Sequence, residues 1–332
     1  MKLLAISDLF IPSDVMENGL SDLKSKGIEI EVREWNHSSL EMLQKDNIEV
    51  ETKGPEAVSV PEELYEGIED FDLLIVHFAP VTKMVLQRAK KLKLVGVLRG
   101  GTENIDQEAA AQQNIEVLNT PGRNARAVAE FTLGMILSEV RNIARSHAAL
   151  KQGNWIKDFP NSDAIPELAG KTVGIIGFGN IGMRLAKYLH ALDCSIIVYD
   201  EYTDDVPAPY KKVDLDTLLK ESDVVSLHLR LSKDTEHFIG QKELDKMKLS
   251  SVLINTARSG LIDEKALIQS LKEKKIMGAA LDVFDHEPLE HNDELLKLDN
   301  VTITTHIAGS TIDAFRNSPK QLAKEIFNKL GN

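Results

Sequence analysis

Three side chains of this 332-residue chain have the types and setting to do chemistry together: Arg258, Glu287 and His306. Each lies in a polar cluster at or just after an apolar, β-rich run, in the segments 255–260, 282–288 and 305–311. They offer one fixed cation, one carboxylate and one imidazole. Hydride transfer at a hydroxy acid needs these types: a cation to hold the substrate carboxylate, a base for the hydroxyl proton, and an acid to steady the protonated base. Taken singly, each has an ordinary structural use. A strand-end Arg is usually a surface ion-pair partner, a His after a β run a hydrogen-bonded structural residue, and a Glu before Pro a turn acid. Their spacing from a glycine-rich loop upstream makes them a set.

That loop belongs to the stretch Lys171–Asp200, in which an apolar run leads into Gly177-Phe-Gly179-Asn180-Ile181-Gly182, then a helical pattern, then a second apolar run ending in Asp200. The order is that of a dinucleotide-binding βαβ unit. Gly177 allows a sharp turn off the strand, Gly179 allows backbone to approach a pyrophosphate, and Gly182 allows the helix to pack close to the sheet. The phosphates are expected at a helix N-terminus, where unpaired N–H groups favour negative charge. Asp200 stands eighteen residues beyond Gly182, placed to accept from the adenosine ribose hydroxyls and to repel a 2′-phosphate, so the expected cofactor is NAD. The fingerprint alone does not name a reaction, because methyltransferases and flavoproteins carry related loops.

The elements that must position these residues are legible as alternation. Segments 2–7, 28–35, 71–78, 93–99 and 115–119 are β-rich and are separated by helical stretches such as 13–26 and 81–90; residues 50–61 read as a loop. Alternation continues beyond the glycine loop, with strands expected at 224–229, 251–257, 278–284 and 301–306 and helices around 214–221, 241–246 and 263–274. The fold class is therefore α/β, with two doubly wound parallel-sheet domains, the second a Rossmann domain whose strand ends face the cofactor. Between them a single long helix is expected over 124–152. Its apolar residues, Val128, Phe131, Met135, Ile136, Leu137, Val140 and Ile143 among them, cover more than one face and predict a homodimer contact. A loop is expected from Gly153 to Gly170. The tail from Thr311 is helical, with an interruption expected at Pro319.

Composition bounds the partners. With 39 basic against 52 acidic residues the net charge is -13, which argues against nucleic acid and anionic membranes. An anionic substrate must then be held by local positive groups. The single Cys194 precludes an internal disulfide and reads as a buried small hydrophobe. No run approaches the roughly 20 apolar residues of a membrane span, and the start lacks a signal-peptide pattern, so a cytoplasmic location is expected. His286 and His291 lack the companions of a metal site.

The whole chain resembles the D-isomer-specific 2-hydroxyacid dehydrogenases, a family that includes D-lactate, D-glycerate and D-3-phosphoglycerate dehydrogenases. The resemblance rests on GFGNIG (177–182 with its flanking strand), NTARSG (255–260), ALDVFDHEPL (280–289) and THIAGST (305–311), in order and at the family's approximate spacing. It implies that Arg258 binds substrate and takes part in catalysis, that His306 is the acid/base, and that Glu287 is its partner. It implies that Asp282 contacts the nicotinamide end and that Asn180, Ile181, Asp200, Thr256 and Ala257 lie along the NAD, with the loop at His228-Leu229-Arg230 nearby. Many members have Pro where this chain has Arg230. The substrate-binding domain is implied to be discontinuous, 1–119 with 307–332, around an NAD-binding domain at 120–306, with a hinge near Thr120 and Ile307. Arg99-Gly100-Gly101 corresponds to the family's substrate loop, where Arg99 replaces a small residue and is expected to add a positive contact; His77 is expected to line the same region or to be a core histidine. The activity implied is NAD-dependent interconversion of a D-2-hydroxy acid and its 2-keto acid. D-3-Phosphoglycerate dehydrogenase, which Arg99 suits, and a non-catalytic NAD(H)-sensing protein of corepressor type are the alternatives.

Overall fold

A computed structural model describes residues 1–161 and 167–330; residues 162–166 of the expected 153–170 loop, and residues 331–332 of the tail, lie outside the described residues. The chain forms two compact units, Met1–Asn124 with Thr311–Asn332, and Ala125–Ser310.

The first unit holds β1 (Lys2–Ser7), β2 (Glu29–Glu34), β3 (Leu73–Val76), β4 (Leu94–Val97) and β5 (Glu116–Asn119) in one parallel sheet of order β2-β1-β3-β4-β5. Side-chain alternation divides these strands between two apolar layers. Leu4, Ile6, Leu74, Val76, Val95 and Val97 face one layer, while Leu3, Ala5, Leu73, Ile75 and Leu94 face the other. The first layer is covered from α2 (Leu40–Lys53), α3 (Lys83–Arg88) and α4 (Gln107–Gln112), the second from α1 (Ser13–Leu20) and α11 (Ile312–Leu330). Side-chain caps start the helices of the first layer: Ser39, Thr82 and Asp106 accept from Met42, Val85 and Ala109 N–H. The expected loop at 50–61 is a correction, because α2 runs on to Lys53 and Gly54 ends it.

Pro319 does not interrupt the tail, which is one helix from Ile312 to Leu330. Proline deprives the Phe315 carbonyl of its helical donor, and the Ser318 hydroxyl donates to that carbonyl instead, at 2.8 Å. Pro319 is buried against α1, where Gly19 leaves room for it: a Cβ on Gly19 would lie 2.5 Å from Pro319 Cβ.

The second unit holds β6 (Thr172–Ile176), β7 (Ser195–Tyr199), β8 (Lys211–Lys212), β9 (Val224–Leu227), β10 (Val252–Asn255), β11 (Gly278–Leu281) and β12 (Val301–Ile303), all parallel, in the order β12-β11-β10-β9-β6-β7-β8. Strands β9, β10 and β11 are buried along their length, as central parallel strands covered on both faces must be. One layer takes Leu253 and Leu281, the other Val252, Ile254 and Ala280. The covering helices are α5 (Ala125–Val140), α6 (Ile143–Lys151), α7 (Asn180–His190), α8 (Leu215–Glu221), α9 (Gln241–Leu244) and α10 (Glu264–Lys272). The chain reverses direction across the sheet between β6 and β9, the point at which open α/β sheets bind ligands.

The single helix expected over 124–152 is two. Asn142 adopts a left-handed φ of +58°, which separates α5 from α6. Buried polar bonds fix the break: Asn142 Nδ2 donates to Asn161 Oδ1 at 2.6 Å, and Arg145 Nη2 reaches both oxygens of the buried Glu139 at 2.7 and 2.8 Å. Periodicity alone does not reveal such a stop, since Asn is an acceptable helix residue unless its side chain finds another partner.

Candidate active site

The glycine loop leaves β6 and feeds straight into α7. Gly177 has φ +94°, and a Cβ there would strike the His228 carbonyl oxygen at 2.6 Å. Gly182 packs as closely on the turn, since its Cβ would lie 2.2 Å from Gly177 O, whereas a Cβ on Gly179 would meet nothing within 4 Å. The backbone at Gly179 is therefore open to close approach. Helix α7 starts at Asn180 and Ile181 with no side-chain cap, so the N–H groups of its first turn are free to take a pyrophosphate. A dinucleotide fits this cradle.

Asp200 directly follows β7 and is buried. Its Oδ2 accepts from Phe178 N–H in the glycine loop at 2.6 Å, and Oδ1 accepts from Tyr202 and Thr203 N–H at 2.8 Å each. Burial alone would raise its pKa, but these three donors hold the carboxyl below the usual range. Asp200 thus locks the glycine loop, beyond the ribose contact expected of it. His228 and Leu229 lie against the loop from β9: the His228 carbonyl and a Leu229 methyl crowd the space beside Gly177. The His228 ring bonds Ser226 Oγ through Nε2 at 2.9 Å, while Nδ1 is buried without a partner, and burial pushes its pKa down to about 4.

At the end of β10 the Asn255 side chain folds the following turn, accepting from Ala257 N–H at 3.0 Å and donating to Arg258 O at 2.9 Å. Thr256 is buried and shares a 2.7 Å hydrogen bond with Thr132 Oγ1 of α5. Arg258 is extended, and its guanidinium donates to Ala257 O at 2.7 Å. Among the described residues no carboxylate pairs with it, which leaves a planar donor fork with its charge uncompensated.

The adjacent strands β11 and β12 bring Glu287 and His306 together. His306 Nδ1 lies 2.8 Å from Glu287 Oε2, and Glu287 Oε1 accepts from Phe284 N–H at 3.0 Å. A carboxylate facing Nδ1 accepts its proton, so Nε2 is the nitrogen free for a substrate. Both side chains are half-exposed. His306 sits at φ +54°, a left-handed conformation uncommon for a residue with a Cβ. Asp282 holds that turn. Its Oδ1 accepts from Thr304 Oγ1 at 2.6 Å and Ile307 N–H at 3.0 Å, and Oδ2 accepts from Ala308 N–H at 2.8 Å. The side chain is fully buried. Asp282, expected at the nicotinamide end, spends both oxygens on the loop that carries His306.

The residues expected in the first unit are tied differently. Arg99 is not a free cation: it is buried, donates to Asn47 Oδ1 at 2.9 Å, pairs with Glu51, and lies 3.3 Å from Glu103 Oε2. Two acids neutralise it, which corrects the expected positive contact. Gly100 and Gly101 follow it, and a Cβ on Gly101 would overlap the Glu103 carboxylate. His77 is completely buried with Nδ1 2.8 Å from Asp8 Oδ2. Asp8, Asn255, Thr304 and Arg123 were not singled out by sequence. Asp8 and His77 are 69 residues apart and meet because β1 and β3 are neighbours, which no local pattern records. Among the described residues, no group of three or more His, Cys, Asp or Glu side chains is gathered as a metal ion would require. No helix among them is long and apolar enough to cross a membrane.

Comparison with known proteins places the family. The model of the family described as D-isomer specific 2-hydroxyacid dehydrogenase, NAD binding domain, matches residues 133–308. A hydroxypyruvate reductase of Thermotoga maritima is 41% identical over 87% of this chain and 94% of its own length. A D-3-phosphoglycerate dehydrogenase of Methanocaldococcus jannaschii is 43% identical over 80% of this chain, but only 51% of that longer protein is covered. Among solved structures, a D-isomer specific 2-hydroxyacid dehydrogenase from Lactobacillus delbrueckii ssp. bulgaricus in its NAD-complexed form superposes with a TM-score of 0.78 at 27% identity, covering 100% of this chain and 98% of that one.

Proposed function

Because the chain belongs to the D-isomer-specific 2-hydroxyacid dehydrogenase family, and so is an NAD-dependent oxidoreductase, we propose that it interconverts a small D-2-hydroxy acid and its 2-keto acid through His306, Glu287 and Arg258. The observation that carries the residue assignment is the 2.8 Å Glu287–His306 pair at the ends of adjacent strands. Gly177–Gly182, Asp200 and the His228-Leu229 and Thr256-Ala257 turns would hold NAD, which would supply or accept the hydride when bound. In the reducing direction protonated His306 donates from Nε2 to the carbonyl oxygen, while Nδ1–H stays bonded to the Glu287 carboxylate. That carboxylate stabilises the imidazolium before transfer and fixes the ring's direction throughout. Arg258, with no carboxylate of its own, binds the substrate carboxylate through two parallel N–H donors, a geometry Lys does not reproduce.

The loop Arg99-Gly100-Gly101 and His77, read from the resemblance as substrate-binding, belong to the first unit. Arg99 acts there by anchoring α2 to the loop, since Glu51 and Glu103 take its charge. This weakens the phosphoglycerate reading, which needs a free cation. The His306–Glu287 pair favours an enzyme over a non-catalytic NAD(H) sensor. A homodimer formed over α5, α6 and the segment after them accounts for Ile143, Leu150 and Trp155, which are 56%, 55% and 79% exposed.

The test is NADH oxidation against glyoxylate, pyruvate, hydroxypyruvate, branched 2-keto acids and 3-phosphohydroxypyruvate. Turnover of a non-phosphorylated acid is expected, and His306→Gln is expected to lower kcat by about 10²–10⁴ while NADH still binds. Turnover of none of these acids, or full activity in His306→Gln, refutes the assignment.

A further inference from the structure

Arg258 is assigned the substrate carboxylate, yet little holds its own side chain. Among the described residues it has no carboxylate partner, and its guanidinium makes one hydrogen bond, to the carbonyl of the preceding Ala257. The direction of the fork is therefore set by the turn that carries it, residues 255–258. Both bonds of the Asn255 side chain, to Ala257 N–H and Arg258 O, stay inside that turn. Among the described residues Thr256 alone sends a side-chain hydrogen bond from the turn to another element: its hydroxyl meets Thr132 Oγ1 of α5 at 2.7 Å, with both residues buried.

The α5 side decides which of the two hydroxyls donates. A threonine hydroxyl carries one proton and two lone pairs. Thr132 gives its proton to the Val128 carbonyl one helical turn earlier, at 2.7 Å. Towards Thr256 it can then only accept, so Thr256 is the donor and its O–H points at α5. Deleting the Thr132 oxygen would leave that buried proton without its acceptor, and the turn would have to move to find another. The helix is a firm support for the bond. Seven residues on, Glu139 Oε2 accepts from Thr302 Oγ1 of β12 at 2.7 Å, and Arg145 Nη2 clamps both Glu139 oxygens. Positions 132 and 139 share one face of α5. That face thus ties the turn after β10, which carries Arg258, to the strand that leads into His306.

We propose that Thr132 is a positioning residue for the reaction: by accepting from Thr256 it sets the direction of the Arg258 fork relative to His306. This rests on the reading of Arg258 and His306 as the residues that handle the substrate, and it deepens that reading. A bidentate contact loses one of its two N–H···O bonds when the fork turns, whereas the point charge of a lysine has no such direction to lose.

A double-mutant cycle tests this on kcat/KM for a 2-keto acid that the wild-type enzyme reduces. Thr132→Val is expected to lower kcat/KM about tenfold or more in the wild-type background and less than about twofold in Arg258→Lys, while Thr132→Ser, which keeps the oxygen, stays within about threefold of wild type. Equal losses in the two backgrounds, a folded Thr132→Val with wild-type kcat/KM, or a loss confined to NADH affinity overturns the proposal. A readout independent of turnover is the Nε–H resonance of Arg258 in protein with isotope-labelled arginine, identified by its absence from Arg258→Lys. It is expected to move in Thr132→Val and to return in Thr132→Ser, and an unmoved resonance overturns the proposal. Should Thr132→Val fail to fold, Thr256→Val cuts the same bond from its other end and is read by the same resonance. Wild-type inactivity on every 2-keto acid would instead refute the underlying reductase reading, and the resonance would still decide whether Thr132 directs Arg258.

Discussion

Asp282 shows how a residue can control the site from beneath it. Three bonds run from its carboxylate to the segment 304–308, and between the bonded positions the backbone holds His306 in the left-handed region. Replacing one oxygen by an amide turns an acceptor toward a buried N–H into a donor, leaving groups unpaired at about 1–3 kcal/mol. Asp282→Asn is therefore expected to lower kcat by about tenfold or more and to leave the NADH dissociation constant within about twofold. Stopped-flow turnover beside a fluorescence titration separates the two effects, and a loss confined to NADH affinity would show that the side chain serves the cofactor instead. The types and order of Arg258, Glu287 and His306 were legible in the sequence because polar residues at strand ends stand out against apolar runs. What Asp282, Asn255 and Asp8 do was not, because hydrogen bonds to backbone N–H groups in another loop leave no trace in residue type or period.

At the scale of elements, the two corrections to the helices have a common cause. Asn142 stops a helix that periodicity would continue, and Ser318 continues one that Pro319 would stop, in each case through a side chain bonding where the helix has a gap. Strands and their alternation were readable because burial on both faces demands unbroken apolar runs. Helix ends depend on such single bonds and were not. The junction of α1 with α11 can be tested at its tightest point. Gly19→Ala would set a methyl 2.5 Å from the rigid Pro319 Cβ, and overpacking of this kind costs typically about 1–3 kcal/mol. Ser318→Ala should cost about 1 kcal/mol through the Phe315 carbonyl. Urea unfolding is expected to rank wild type above Ser318→Ala and that above Gly19→Ala; a Gly19→Ala protein as stable as wild type would mean that the helices part without cost.

For the whole molecule, acid should act in two stages. Burial pushes the His228 ring from its ordinary 6.5 down to about 4 in the fold, so between those values the unfolded chain binds the extra proton. Its contribution is complete above 6.5 and is lost as pH falls toward about 4. Asp200 and Asp223 are held below 3.8 in the fold, so their contribution is present above 3.8 and disappears at still lower pH. Glu139, raised above 4.5 by burial, runs against the upper stage, because there the fold binds the extra proton. Melting temperatures measured from about pH 8 down to 3 should fall in both windows, and His228→Gln should flatten only the upper one. Unflattened melting in that variant would assign the upper stage to other groups. The return of α11 to the first unit also bears on how the protein is made. Leu322, Ala323 and Ile326 complete the layer that contains Leu3 and Ala5, so β1 waits for a helix synthesised after the whole of the segment 125–310. The segment 125–310 is continuous and can close its core while that half is still uncovered. Premature termination shortly before Ile312 would therefore release a finished nucleotide-binding half joined to an unfinished partner, with the apolar face meant for α11 open to chaperones, proteases and aggregation.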